Sequence, residues 1–375
     1  MTVPSAGSIE PPVATPQVLQ LEHDGRVGEL LPIVLINALL NIVTLTLYRF
    51  WAKTRVRRYL WSGMRMTSDR FEYTGRGMEL FLGFLIVLAV VIVPLIGFNI
   101  LAEFLWATDD PLRYGGFTII SYLLIFFLIG VAIYRARRYR LSRTVWRGIR
   151  PALVGRSSVY GLLYLAIYLL NGATMGWSYP WGRIRLTEQM MRETYFGDRP
   201  FRFEARSGSL YGRFAVFWFG SIGAVILASL VVGVIGATAE LQLDEKLADE
   251  PLAVAWTAAL IVSFLLVFGV PVATLYAFYK ARELALIAES TAFEGLAFRF
   301  DVTTGSLMWL VLGNYLITIL TLTLGYPFVQ LRNFRYLCQR LQAVGTVDFE
   351  AIRQSTAERP SVGEGLADAF DVGAV

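Results

Sequence analysis

Apolar and polar residues are arranged along the chain in long blocks. Four blocks are almost continuously apolar: Leu80 to Trp106, Tyr114 to Tyr134, Phe214 to Ala239 and Leu252 to Tyr279. A helix needs about 20 apolar residues to cross the hydrocarbon of a bilayer, whereas barrel strands are about 10 residues long and alternate. The pattern therefore predicts an all-α polytopic membrane protein with two transmembrane helical hairpins, at residues 80–134 and 212–279.

Three other hydrophobic segments, Leu30 to Trp51, Gly161 to Trp181 and Leu307 to Phe328, have polar residues at their centres. The middle segment has Arg clusters on both sides, so a single crossing would break the rule that keeps Arg and Lys cytoplasmic. One interpretation is that all three are re-entrant from the cytoplasmic face. The other is that they cross the membrane and that their Asn and Thr residues join helices by hydrogen bonds.

These three segments are copies of one unit. The sequence TLTL at 44–47 recurs at 321–324, and the same offset aligns Asn37 with Asn314. A looser copy between them aligns Asn171 with Asn41. The repeats lie near residues 28–60, 157–190 and 305–340, within a membrane domain of residues 18–354. Polar tails are expected at 1–17 and 355–375, because their composition cannot bury enough apolar surface to order them.

Short strands are predicted next to the basic ends of the helical segments, where aromatic residues alternate with polar ones. The alternating residues are Phe71 and Tyr73, Phe201 and Phe203, and Phe298 and Phe300, with Val347 and Phe349 as a weaker pair. We expect them to form a small cytoplasmic sheet. The alternative is that these rings anchor the protein at the level of the lipid headgroups.

Positive charge is concentrated at helix ends. The stretch from Arg135 to Arg156 has eight Arg residues and no carboxylate. By the positive-inside rule, the basic segments and both termini are cytoplasmic. Arg137, Arg138, Arg140 and Arg143 are also candidates for binding anionic lipid headgroups, which attract clustered Arg by about 1 kcal/mol per residue. The alternative is that the cluster serves only as a stop-transfer and orientation signal.

Composition limits the chemistry. Hydrophobic residues make up 55% of the chain, and it has one Cys and one His at a net charge of +5. No nucleophile with a base and no metal-ligand set is visible, so we expect no catalytic residue, metal site or cofactor, and no enzymatic activity. The sequence pI near 9.3 reflects helix-end Arg residues, so no nucleic-acid partner is expected.

The segment from Leu45 to Leu80 resembles the YjgN-like family of bacterial inner-membrane proteins. The resemblance rests on Tyr48, Trp51, Ala52, Lys53, Arg58, Tyr59 and Leu60, and on Arg70, Phe71, Tyr73, Gly75, Glu79 and Leu80. The sequence departs from the family's Tyr-Pro pattern at Tyr48-Arg49, whereas Tyr179-Pro180 and Tyr326-Pro327 keep it. The resemblance implies a multi-pass protein of the bacterial inner membrane and implies no activity.

Two functions are compatible with these patterns. Internal repeats with broken polar helices are typical of transporters and channels, here for a neutral or anionic solute. The residues that would line the pathway are Asn37, Asn41, Thr44, Asn171, Thr174, Asn314, Thr318 and Thr321. The alternative is a membrane scaffold or a protein that binds anionic lipids. Membrane lipids are the expected partners in either case, and a homo-oligomer and a protein partner are left open.

Overall fold

The computed structural model describes residues 17–106, 110–242, 255, 258, 260, 262–357, 360, 365 and 366. The N-terminal tail predicted for residues 1–17 lies outside the described residues, apart from Gln17. The acidic loop at 243–254 and most of the predicted C-terminal tail also lie outside them.

Ten short strands form one antiparallel sheet in the order β4-β3-β2-β1-β10-β9-β8-β7-β6-β5. The strands are β1 Gln17–His23, β2 Met64–Met66, β3 Asp69–Tyr73, β4 Thr144–Trp146, β5 Pro151–Leu153, β6 Thr194–Phe196, β7 Arg199–Phe203, β8 Thr291–Phe293, β9 Leu296–Phe300 and β10 Leu341–Gly345. A tight turn joins the edge strands β4 and β5, where Trp146 pairs with Ile149. The sheet is therefore a nearly closed barrel.

The all-α prediction is wrong, because this sheet organises the whole described chain. The strands predicted from Phe71, Phe201 and Phe298 are present as β3, β7 and β9. The strand predicted at Val347 and Phe349 is absent, because β10 ends at Gly345 and these two side chains pack against the apolar face of the sheet instead.

Five helical hairpins leave the sheet, and each returns to the strand beside the one it left. Hairpin 1 is α1 Val27–Val43 and α2 Arg49–Ser62. Hairpin 2 is α3 Gly77–Val87, a π-helical turn Leu88–Ile92, α4 Val93–Trp106 and α5 Pro111–Arg143. Hairpin 3 is α6 Ser157–Ala173 and α7 Tyr179–Arg192. Hairpin 4 is α8 Gly208–Gln242 and α9 Val270–Glu289. Hairpin 5 is α10 Thr304–Leu320 and α11 Tyr326–Arg340.

Within the described ranges, four helices are long and apolar enough to cross a membrane, and they belong to hairpins 2 and 4. These helices span Gly77–Trp106, Pro111–Arg143, Gly208–Ala237 and Val262–Glu289. The first helix of hairpins 1, 3 and 5 is apolar but has only 17 residues. The two transmembrane hairpins predicted from the sequence are thus present as helices of sufficient length.

The five hairpins begin in the same way. Seven residues after the end of the preceding strand, each has a buried side chain that is at most 5% exposed: Leu30, Leu80, Tyr160, Leu210 and Leu307. At the returning end of hairpins 2, 3 and 4, a buried Thr donates its hydroxyl proton to the carbonyl four residues earlier: Thr144, Thr194 and Thr291. The fold is therefore a fivefold repeat, of which the sequence pattern identified three members.

A C-terminal strap, residues 346–357, closes the turn side of the barrel. Its Phe349 ring packs edge-on against Trp146, with ring centroids 4.9 Å apart, and its Ile352 is buried in the same core. Gln354 Nε2 donates to the carbonyl of Gly148 in the β4–β5 turn at 2.8 Å. The apolar face of the barrel is thus sealed by the chain's own C-terminal segment.

Candidate functional site

The tips of hairpins 1, 3 and 5 are built by one local device. In hairpin 1, Thr44 Oγ1 donates to the carbonyl of Leu40 at 2.7 Å and accepts the backbone N–H of Tyr48 at 3.0 Å. Thr174 and Thr321 make the equivalent pairs of bonds. Because these bonds satisfy backbone groups left free where a helix ends, the repeated Thr residues define the turn.

Two residues in the left-handed region follow each of these Thr residues. The second is Thr46 in hairpin 1 (φ 69°) and Thr323 in hairpin 5 (φ 71°), but Gly176 in hairpin 3 (φ 85°). A β-branched residue at positive φ is strained, and such strain is often found at functional sites. Hairpins 1 and 5 therefore have a strained tip at this second position, where hairpin 3 avoids the strain with Gly.

A cavity of about 310 Å³ lies between the two strained tips. It is lined from hairpin 1 by Val34, Asn37, Ala38, Asn41, Arg49, Phe50, Ala52, Lys53 and Val56, and from hairpin 5 by Thr323, Leu324, Tyr326, Pro327 and Gln330. Among the described residues, this lining has two cations and no carboxylate. The cavity is thus apolar over most of its surface and positive where it is charged.

The start of α2 adds to the positive character of the cavity. Arg49 is the first residue of α2, and Tyr326 and Pro327 open α11. The N-terminal end of a helix has a partial positive charge, which favours anions. The Arg49 guanidinium lies 4.8 Å from the centres of the Phe50 and Phe84 rings. The cavity wall therefore combines a cation with two helix N-termini.

Two of the predicted pathway residues, Asn37 and Asn41, line this cavity. Asn37 is 5% exposed; it donates to the carbonyl of Ala52 and accepts from Arg55 Nη1, each at 3.5 Å. Asn41 Oδ1 is buried and has no hydrogen-bond partner within the part of the chain that the structure describes. A buried acceptor without a partner is uncommon and needs an explanation.

The other predicted pathway residues do not line this cavity. Asn171 accepts a hydrogen bond from Ser178 Oγ, and Asn314 donates to Asn333 Oδ1 at 2.7 Å. Thr318 bonds the carbonyl of Asn314, while Thr44, Thr174 and Thr321 hold the turns. The structure thus brings two of the eight predicted residues together in one cavity and uses the others within their own hairpins.

The Arg residues considered for lipid headgroups have partners inside the protein. Arg138 donates to the carbonyls of Leu153 and Gly155. Arg143 is 9% exposed and pairs with Glu79 at 3.0 Å. Arg137 Nη2 lies 3.7 Å from the sulfur of Met191, and Arg140 also has a partner. This arrangement favours a structural role for the cluster.

Sequence reasoning missed Arg49 as a site residue. The repeat offsets align it with Tyr179 in hairpin 3 and with Tyr326 in hairpin 5, each followed by Pro. The departure from the Tyr-Pro pattern at Tyr48-Arg49 was the one signal that could have identified Arg49. It shows that hairpin 1 has a cation at its tip where hairpins 3 and 5 have Tyr.

A buried carboxylate, Glu283 on α9, was also missed. It is 0% exposed and accepts from Lys280 Nζ on its own helix and from Arg183 Nε on α7 at 3.4 Å. A buried carboxylate is costly unless it is paired. Glu283 therefore ties hairpin 3 to hairpin 4. This contact could not be predicted from the sequence, because Arg183 and Glu283 are 100 residues apart.

His23, the only histidine, is the last residue of β1, at the base of hairpin 1. Its Nδ1 accepts the backbone N–H of Gly25 at 3.2 Å, and its Nε2 lies 3.1 Å from the carbonyl of Leu60. Burial lowers the pKa of His23 below its usual value. A hydrogen bond from Arg70 lowers the pKa of the neighbouring Asp24. The junction between hairpins 1 and 5 thus holds a neutral imidazole.

Comparison with known proteins gives the family. The chain is 23% identical over 376 residues to the inner membrane protein YjgN of Salmonella typhimurium, and the match covers 91% of each chain. No solved structure matches the chain. The model of the family described as bacterial protein of unknown function (DUF898) matches residues 18–369. Since that match covers nearly the whole chain, the protein belongs to the DUF898 family.

Proposed function

We propose that this is an inner-membrane protein that binds the anionic headgroup of a membrane lipid in the cavity between hairpins 1 and 5. The observation that carries the proposal is the cavity lining, in which Arg49 and Lys53 are the charged residues among mostly apolar neighbours. An amphiphile with a negative headgroup matches both parts of such a lining.

The membrane placement has two supports. The Salmonella relative is by its name an inner membrane protein, and hairpins 2 and 4 hold four helices of sufficient length. Both ends of all five hairpins return to the barrel, so the barrel lies on one side of the bilayer. The Arg residues near the sheet favour the cytoplasmic side.

The short hairpins then enter the cytoplasmic leaflet and turn back. A 17-residue helix is about 25 Å long, shorter than the hydrocarbon of about 30 Å. At the tip of hairpin 3, the carbonyl of Met175 accepts from Trp218 Nε1 within the apolar part of α8. On α6, Tyr168 stacks on Phe126 of α5 at 3.7 Å. These contacts support a re-entrant path for hairpin 3 and, through the repeat, for hairpins 1 and 5.

The outer end of α1 has exposed apolar side chains, as a re-entrant path through the lipid requires. On α1, Leu39, Ile42 and Val43 are 62%, 71% and 71% exposed. Exposed apolar residues of this size on one helix end are costly in water and favourable against acyl chains. The outer half of hairpin 1, beside the cavity, therefore has a surface that suits acyl chains.

This arrangement favours binding over transport. The polar residues considered for a pathway are divided among three hairpins, and Asn37 and Asn41 alone among them line the cavity. Transport of a small anion stays a hypothesis. It would be supported by anion flux into proteoliposomes that Arg49→Tyr abolishes.

The test of the proposal replaces Arg49 by the residue that the other repeat copies have. Arg49→Tyr and wild-type protein are titrated in detergent with an anionic phospholipid, and bound lipids are counted by native mass spectrometry. The variant should bind about fivefold more weakly, since one cation contributes about 1 kcal/mol to headgroup attraction. Zwitterionic phosphatidylcholine should bind both proteins equally.

The matched control is Arg185→Gln. Arg185 is an exposed cation on hairpin 3 that pairs with Glu188 at 2.7 Å, and it does not line the cavity. Its loss should leave lipid affinity unchanged. Equal anionic-lipid binding by wild-type and Arg49→Tyr protein would overturn the proposal.

A further inference from the structure

The unpartnered oxygen of Asn41 identifies the class of lipid more closely. We infer that the headgroup is a phosphodiester with a free hydroxyl beside the phosphate, and that this hydroxyl bonds Asn41. The inference rests on the proposed function, since it concerns the same cavity.

The first step is the burial of Asn41 Oδ1. This oxygen has no hydrogen-bond partner among the described residues. Asn314 Oδ1 shares that property, but of the two residues Asn41 is the one that lines the cavity. The backbone carbonyl of Asn41 is already used, because it accepts the N–H of Thr46 at 2.7 Å. The side-chain amide is therefore the polar group left for a ligand.

The second step comes from the equivalent residue in hairpin 3. Asn171 has the same place in the repeat, and its Oδ1 accepts a hydrogen bond from the hydroxyl of Ser178. The residue that aligns with Ser178 in hairpin 1 is Tyr48. Its ring stacks on Trp51 with centroids 6.1 Å apart. Hairpin 1 has thus lost the internal hydroxyl that satisfies the same amide in hairpin 3.

The third step is the chemistry of the replacement. A hydroxyl both donates and accepts, so it can bond the amide of Asn41 through either its oxygen or its nitrogen. The phosphate next to the hydroxyl then lies against the positively charged N-terminal end of α2, where Arg49 and Lys53 attract it. A compact phosphodiester with an adjacent hydroxyl presents both groups together, whereas an anion without a proton to donate leaves Asn41 Oδ1 without a partner.

The experiment compares two anionic lipids with the same charge. Phosphatidylglycerol carries hydroxyls beside its phosphodiester, and phosphatidylmethanol carries a methyl group there. Each is titrated into wild-type protein in detergent, and binding is followed by native mass spectrometry. We expect wild-type protein to prefer phosphatidylglycerol by roughly fivefold, the effect of one hydrogen bond to an otherwise unsatisfied group.

Two variants should remove that preference by different routes. Asn41→Leu removes the amide, so both lipids should bind as phosphatidylmethanol binds wild-type protein. Tyr48→Ser returns the hydroxyl that hairpin 3 has, so Asn41 is satisfied internally and the preference should also fall. Asn171→Leu is the matched control, and it should keep the wild-type preference.

The outcomes separate the two proposals. If wild-type protein binds both lipids equally, and Arg49→Tyr weakens both, the hydroxyl inference is wrong and the proposed function stands. If Asn41→Leu and Tyr48→Ser both keep the preference, the hydroxyl bonds another group and the inference also fails. If Arg49→Tyr changes neither lipid's affinity, the proposed function itself is wrong.

Discussion

Hairpins 1 and 3 are copies of one unit with different surroundings. Both turn through a Thr that bonds the carbonyl four residues earlier. Hairpin 3 contacts hairpins on both of its sides. Gly161 packs closely against α5 of hairpin 2, and Trp218 of hairpin 4 donates a hydrogen bond to the tip of hairpin 3. Hairpin 1 instead faces a cavity shared with hairpin 5.

The difference shows which features the repeat fixes and which it leaves open. The turn geometry depends on residues within the hairpin, so it recurs. The partner of each polar side chain depends on the neighbouring hairpin, so equivalent side chains have different partners in different hairpins. Lys53 and Arg183 have the same place in the repeat, yet one lines the cavity and the other pairs with Glu283.

The largest effect is expected from releasing hairpin 3 from hairpin 4. Glu283→Ala leaves Lys280 and Arg183 without their buried carboxylate, and removing one partner of a buried ion pair costs about 3 kcal/mol. Chemical unfolding in detergent measures the loss. Glu289→Ala, which removes an exposed partner of Arg282 on the same helix, should cost less than about 1 kcal/mol. Equal losses would contradict the role given to Glu283.

The next effect comes from the close approach of hairpins 2 and 3. A Cβ on Gly161 would lie 2.6 Å from Val131 Cγ2 and 3.0 Å from the carbonyl of Phe127. Gly161→Leu should therefore separate α6 from α5 and cost about 2 kcal/mol by overpacking, seen as a lower unfolding midpoint. Gly172→Leu on the same helix meets open space, and a comparable loss there would refute the explanation.

Exchanging the residues at the strained turn position sharpens the contrast between the tips. Gly176→Thr puts a β-branched residue at φ 85°, which should destabilise the protein by about 1 kcal/mol. Thr46→Gly should stabilise it by up to about 1 kcal/mol, because relief of strain exceeds the entropy that Gly adds to the unfolded chain. Unfolding midpoints of the two variants should therefore move in opposite directions; movement in one direction would show that the strain is absent.

The smallest effect concerns pH at the base of hairpin 1. The folded pKa of His23 is lowered by burial, so as pH falls through about 6.5 the unfolded chain binds a proton before the folded chain does. The stability contributed by neutral His23 is full above that pH and is lost as pH falls toward the folded pKa.

His23→Phe supplies the aromatic residue that ends β7 and β9 at this position. The variant should therefore lose less stability than wild-type protein between pH 7.5 and 5.5, measured as melting temperatures. The Asp24–Arg70 pair does not titrate in that window, because the pKa of Asp24 is lowered from 3.8. Identical pH slopes for both proteins would exclude His23 as the cause.

The long helices and the repeated tips could be predicted, because their signals are local. About 20 apolar residues or a repeated Thr are visible in one stretch of sequence. The barrel could not be predicted, since β2, β4, β6 and β8 have three residues each, too few for an alternation to be recognised. The fivefold repeat was hidden by the unequal lengths of the hairpins.

The candidate site was predicted in part. Asn37 and Asn41 were identified because both are polar residues within an apolar helix, and both line the cavity. Arg49 could not be identified, because the cavity that it lines is completed by hairpin 5, whose residues are far from Arg49 in the sequence. A break in a repeat is thus more informative about function than the residues that the repeat conserves within the chain.

The first and last strands pair at the middle of the sheet, and this has a consequence for biosynthesis. β1 pairs with β10 through Gln17 to Gln20 and Gln342 to Gly345. Ribosomes add about 5 to 20 residues per second, so one edge of β1 waits on the order of tens of seconds for its partner. A nascent chain that stalls before Leu341 keeps an open strand edge, which is a site for aggregation.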